Sequence, residues 1–103
     1  MKTKATFFLP LRDNDGRDLT DEIQVVEEEC FVAFGAWTLM GYFKGIWRME
    51  SGAPQTDVSA VYMVILGDKD FPILEAILKR FKAKTSQEAI FLEITRGVDI
   101  RFV

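Results

Sequence analysis

The stretch Val58-Ser-Ala-Val-Tyr-Met-Val-Ile-Leu66 is apolar on both sides of an extended chain. Alternation sends Val58, Ala60, Tyr62, Val64 and Leu66 to one face and Val61, Met63 and Ile65 to the other. Something must cover such a strand on both sides. A chain of 103 residues has room for one hydrophobic core. The expectation is therefore a single domain over residues 1–103, with the covering elements drawn from the flanking sequence.

Those elements can be read from periodicity and punctuation. Thr3 to Leu9 is a strand pattern closed by Pro10, and Asp15-Gly16 marks a turn after it. Ile23, Val26, Cys30, Ala33 and Phe34 recur at helical spacing, with Thr20 as the expected N-cap and Gly35 as the stop. Trp37 to Met49 is a strand pattern interrupted by Gly41 and Gly45, and the Glu50–Thr56 segment is its loop to the next strand. Asp70 is placed to cap a second helix with the stripe Ile73, Leu74, Ile77, Leu78 and Phe81. Ala89 to Thr95 is a further strand, and Arg96-Gly97 turns it into a short one from Val98 to Val103.

This order predicts an α+β fold, a ferredoxin-like βαββαβ sandwich. An antiparallel sheet carries two helices on one face, with a short extra C-terminal strand. From Asp18 to Phe43 there are six acids and no Lys or Arg, whereas Lys79 to Lys84 holds four bases. Glu27, Glu28 and Glu29 of the first helix are thus expected to face bases of the second. Helices on one face leave the other uncovered, yet Phe8, Val61, Met63, Ile65 and Phe91 all fall there. The reading is a homo-oligomer, a homodimer in its simplest form, closed through the second sheet face.

Several function classes are excluded or disfavoured. With no histidine and one cysteine, neither a His-based triad nor a Cys/His zinc site can be built. Cys30 reads as a buried structural thiol. Net charge is −3 and no basic-aromatic strand motif is present, so no nucleic-acid partner is expected. No apolar run approaches the ~20 residues that span a bilayer, and the three apolar residues Phe7 to Leu9 are too few for a signal-peptide core. The expectation is a cytoplasmic protein without a membrane partner. Asp13-Asn-Asp-Gly-Arg-Asp18 has part of a calcium-loop spacing, but Leu11 stands where the first acidic ligand belongs. It reads as a solvated turn, and no metal or cofactor is expected.

The segment Phe34-Gly-Ala-Trp-Thr38 and the later Gly45-Ile-Trp47 contain both tryptophans of the chain. If alternation holds, Trp37, Phe43 and Trp47 share one side and Tyr42 and Lys44 the other, an assignment that a bulge at either glycine would scramble. Thr85-Ser-Gln-Glu88 reads as a turn satisfying backbone groups, with Gln87 and Glu88 alternatively lining a pocket.

Together with Asp57 and Gln87-Glu88, these motifs resemble a family of small, functionally uncharacterised bacterial proteins. Their pattern runs Phe-Gly-Gly-x-Thr, Gly-x-Trp, an acidic residue before a strand, and a Gln-Glu or Gln-Asp pair. This chain carries Ala36 at the second glycine. The resemblance implies a ferredoxin-like fold and no particular activity, and it marks Thr38, Trp47, Asp57, Gln87 and Glu88 as candidate ligand-binding residues. No catalytic residue is assigned. The sequence reads as a non-enzymatic module for self-association or protein binding. The alternative is a small-molecule-binding domain, or a metal-independent enzyme, using the Trp47, Asp57, Gln87 and Glu88 region.

Overall fold

The computed structural model describes residues 2–103. In chain order the elements are β1 (Lys2–Pro10), α1 (Thr20–Phe34), β2 (Thr38–Arg48), β3 (Pro54–Leu66), α2 (Phe71–Lys84) and β4 (Leu92–Val98). The sheet order is β2-β3-β1-β4, and every neighbouring pair is antiparallel. β1 and β2 thus run parallel with β3 between them, which is the split βαβ arrangement of a ferredoxin-like α+β fold. The strand apolar on both sides, β3, is an inner strand.

One face of the sheet is closed by the helices. Ile23, Val26 and Cys30 of α1 and Leu74, Ile77, Leu78 and Phe81 of α2 bury against Phe7, Leu9, Tyr62, Val64 and Leu66. Phe7 and Tyr62 stack across β1 and β3 with ring centroids 5.7 Å apart. Each such side chain taken fully from water stabilises the fold by about 1.5–3 kcal/mol. Ala33 and Ile73, placed on the apolar stripes by spacing, lie at their margins and remain exposed.

The helix ends differ in part from expectation. Gly35 does stop α1, at φ 81°, with its N–H donating to the Phe31 carbonyl at 2.9 Å. At the other end Leu19, not Thr20, occupies the N-cap position, because it is fully buried and draws Thr20 into the first turn. The Asp18 carboxylate then accepts the Thr20 backbone N–H at 2.7 Å. Asp70 is the N-cap of α2, but its carboxylate accepts the Gly67 N–H at 3.2 Å and none of the helix N–H groups. Between the helices Arg80 pairs with Glu29 as the charge pattern predicts, whereas Glu27 turns to the sheet and accepts the Tyr62 hydroxyl.

Three strand features correct the sequence reading. β3 begins at Pro54, four residues ahead of Val58, so the last three residues of the expected Glu50–Thr56 loop are strand. The short extra strand over 98–103 is not formed. Arg96-Gly97 makes a bulge in β4, with Gly97 at φ 68°, so Lys2 pairs with Val98 while Lys4 pairs with Thr95. Residues 99–103 form no strand, and Phe102 instead lies by Thr38, Met63 and Ile65 on the uncovered face. In β2, Met40 is an extra residue between the Leu39–Tyr62 and Gly41–Val61 pairs. That bulge moves Trp37 to the helix side, where it meets Tyr62 edge-on at 5.6 Å, while Phe43 and Trp47 keep the opposite side.

β1 runs along β3 only as far as Ser59, and the Leu11 N–H adds one bond to the Val58 carbonyl. Beyond it, Gly45–Arg48 and Pro54–Asp57 continue as a two-stranded arm. Four residues at ~3.3 Å each give this arm a reach of ~13 Å. The molecule is accordingly elongated, 44 × 23 × 23 Å.

Candidate functional site

The arm rises beside an uncovered sheet face that carries an aromatic cluster. Phe8 of β1 packs against Phe91, just before β4, with centroids 4.4 Å apart, and meets the edge of Phe43 of β2 at 6.0 Å. Their convergence follows from register: Phe8 pairs with Val61, and Phe43 with Ser59 two residues earlier on β3. These rings and the base of the arm bound a half-open cleft of about 540 Å³. Its arm wall is Trp47 and Asp57, its floor includes Ser59, and Ile90 adds apolar surface beside Phe91. That size suits a small organic ligand.

Two of the five candidate residues meet in this cleft. The Trp47 indole Nε1–H donates to Asp57 Oδ2 at 2.6 Å, and Asp57 Oδ1 receives a long contact of 3.5 Å from Gln55 Nε2. Both Trp47 and Asp57 are partly buried. Among the described residues no Lys or Arg forms an ion pair with Asp57. Its protein partners are therefore two neutral donors, the Trp47 indole and, at longer range, the Gln55 amide.

The other three candidates lie elsewhere. Thr38 borders a separate cleft with Trp37, Met63 and Phe102. Gln87 is buried at the end of α2: its N–H donates to the Lys82 carbonyl at 3.1 Å and its side-chain amide to the Thr85 carbonyl at 3.3 Å. Glu88 is exposed and shares a shallow depression with Gln87, Lys79 and Lys82. The Thr85–Glu88 segment is thus the turn that completes the helix, with the Thr85 hydroxyl donating to the Phe81 carbonyl at 2.7 Å.

Elsewhere, polar groups are engaged in holding the fold. Burial pushes the Cys30 thiol up to about 12, with the neighbouring Glu29 charge adding to the effect, so the thiol stays protonated and unreactive at neutral pH. Burial, and then the bond to Glu27, raises the Tyr62 phenol. In the loop after β1, Asp13 accepts the Arg17 and Asp15 backbone N–H groups at 2.8 and 2.9 Å, and Arg17 pairs with both Asp13 and Glu22. The Arg17 backbone N–H is the main cause holding the Asp13 carboxyl below its usual range. Arg17 therefore occupies the carboxylates that a calcium ion would need. Among the described residues no group of three or more Cys, Asp or Glu is placed to hold a metal, and no helix is long and apolar enough to cross a membrane.

The sequence reading missed the aromatic cluster as a site. Its signal was present: Phe8 and Phe91 were assigned to the second face. Their approach to Trp47 and Asp57 depends on strand register, which no local pattern reports.

No family model matches the chain, and no curated protein matches it significantly. Solved structures do. A phage SAM lyase in complex with S-methyl-5'-thioadenosine superposes with a TM-score of 0.66 at 21% identity, over 94% of this chain and 83% of that one. The divalent cation tolerance protein CutA1 from Thermus thermophilus gives 0.69 at 13% identity, over 98% and 88%. CutA1 from Oryza sativa gives 0.56 at 12% identity, over 96% and 84%. The shared property is the fold. Neighbours named for a lyase and for cation tolerance show that this sandwich carries unlike activities, so function has to be argued from the site.

Proposed function

We propose that this chain is a non-catalytic, self-associating cytoplasmic domain that packs with a second copy through its uncovered sheet face. The observation that carries the reading is the combination of Phe8, Phe43 and Phe91 on that face with the unpartnered arm beside it. Phe43 and Phe91 are about half exposed, at 50% and 52%. Apolar surface gathered this way on a small domain marks a surface for association. Ile46 of the arm, with Tyr42 and Val58 just below it, is exposed on the opposite side of the sheet. An isologous pair laid face to face would bury each cluster against its counterpart. Sedimentation velocity from low to high micromolar concentration tests this. A dimer or larger species is expected, and a monomer throughout refutes it.

Ligand binding is the second reading, favoured by the Trp47–Asp57 pair at the cleft wall. Thr38, Gln87 and Glu88 remain candidates by the motif resemblance alone, since their positions do not join that cleft.

A further inference from the structure

The cleft is bordered by one residue whose identity the fold does not explain. Five of the seven glycines stand at positive φ, and a Cβ on Gly67 would come within 3.2 Å of Asp70 Oδ2. Gly45 has neither constraint: its φ is ordinary for any residue, and a Cβ added there meets no atom within 4 Å. A glycine inside a strand without such a need weakens the strand. Gly45 pairs directly with Asp57, between Phe43 and Trp47 along the same side of β2. What its missing side chain does is leave open the space above the Asp57 carboxylate.

From this we infer that the cleft binds a small aromatic amine. The ring lies among Phe8, Phe43, Phe91 and Trp47, over Gly45, and the ammonium group donates to Asp57. Three features select this class. The walls are mostly apolar and aromatic, which suits a flat ring and favours a nearby cation through the ring faces. Asp57 supplies the one charged side chain on the β3 side of the cleft, and Trp47 occupies only part of its acceptor capacity. Lys44 also borders the cleft, but it pairs with Val58 on the opposite side of the sheet from Asp57, and among the described residues no Lys or Arg pairs with the carboxylate. A carboxylate ligand would meet Asp57 as a like charge, and a neutral one would leave it without a counter-charge.

The inference goes beyond self-association and does not need it: a second copy packed on Phe8, Phe43 and Phe91 would compete with the amine for the same rings. The probe is 2-phenylethylamine at neutral pH, compared with its neutral isostere 2-phenylethanol, by calorimetry with the Trp47 indole N–H resonance as local reporter. The amine is expected to bind saturably at millimolar concentration or below, and the alcohol about tenfold or more weakly, the scale of one charge-assisted hydrogen bond. Asp57→Asn should reduce amine binding by a similar factor. Gly45→Val should also reduce it, by filling the space while leaving Asp57 in place. Equal binding of amine and alcohol, undiminished binding by Gly45→Val, or no saturable amine binding by the wild-type protein would each overturn the assignment. Sedimentation of the same samples separates the two readings: a protein that is monomeric throughout and binds the amine refutes self-association alone, and absence of binding at a dilution where the protein is monomeric refutes the cleft alone.

Discussion

The substitution Phe91→Asp gives a quantitative test of the uncovered face. Full burial of a phenylalanine side chain is worth up to about 3 kcal/mol. In the isolated chain Phe91 is 52% exposed, with its buried part resting on Phe8. Roughly half of that energy, about 1.5 kcal/mol, is therefore used within the monomer and about as much is left for a partner. In a symmetric dimer the residue appears twice, so association should weaken by about 3 kcal/mol, roughly 100-fold in the dissociation constant. An aspartate set into that contact only adds to the loss. The monomer should lose about 1.5 kcal/mol, small enough to keep it folded.

Sedimentation velocity across a concentration series reads the first quantity, and urea unfolding under monomeric conditions reads the second. Val32→Asp is the matched control, because Val32 is 80% exposed on α1, away from the sheet face. The reasoning fails if Phe91→Asp associates with wild-type affinity. It fails equally if Val32→Asp weakens association as much, since the charge would then act without regard to the face.

Three further outcomes follow from the packing. Leu74→Ala should cost about 2–5 kcal/mol, seen as a lower urea midpoint with unchanged slope, because Leu74 is fully buried where α2 meets the sheet. Stability should be level from neutral pH up to about pH 9 and fall above it, as measured by thermal midpoint. Cys30 has a folded value of about 12 against 9.0 in the unfolded chain, so the unfolded thiol ionises first and the contribution is lost between those values, with Tyr62 acting in the same direction from its own ordinary value of 10.0 upward. Arg80→Ala should change stability by no more than about 1 kcal/mol, because the Arg80–Glu29 pair is substantially solvated, and high salt should erase most of that difference.

The fold was legible because its signals are local. The stripe Leu74, Ile77, Leu78 and Phe81 declares a buried helix face whatever it packs against, and Gly35 ends α1 by its own backbone conformation. The apolar run Val58–Leu66 declares a strand with both faces to cover without reference to its neighbours. The side assignment of Trp37 was not legible in the same way. It depends on Met40 being unpaired in the β2–β3 ladder, a property of two strands together. The same holds for Arg96-Gly97, whose composition fits a hairpin turn and a β-bulge equally well. β1 decides between them by continuing to pair at Lys2 with Val98.

Gly41 and Gly45 show why the site was harder to read than the fold. In sequence they are two glycines four residues apart in one strand, and both read as interruptions. In the structure Gly41 stands at φ 147° directly after the bulged Met40, so its lack of a side chain serves the backbone. Gly45 has an ordinary backbone and empty space where a side chain would be, opposite Asp57. One is needed for the chain to form its strand, and the other leaves room for something the chain does not itself supply. The distinction rests on a dihedral angle and on what stands across the ladder, so it becomes readable only when the partner strand is in place. Gly41→Ala should therefore lower stability, its Cβ standing in ordinary contact with the Phe43 ring at 3.6 Å. Gly45→Ala should leave stability unchanged or slightly improved, a divergence that urea unfolding of the two variants would show directly.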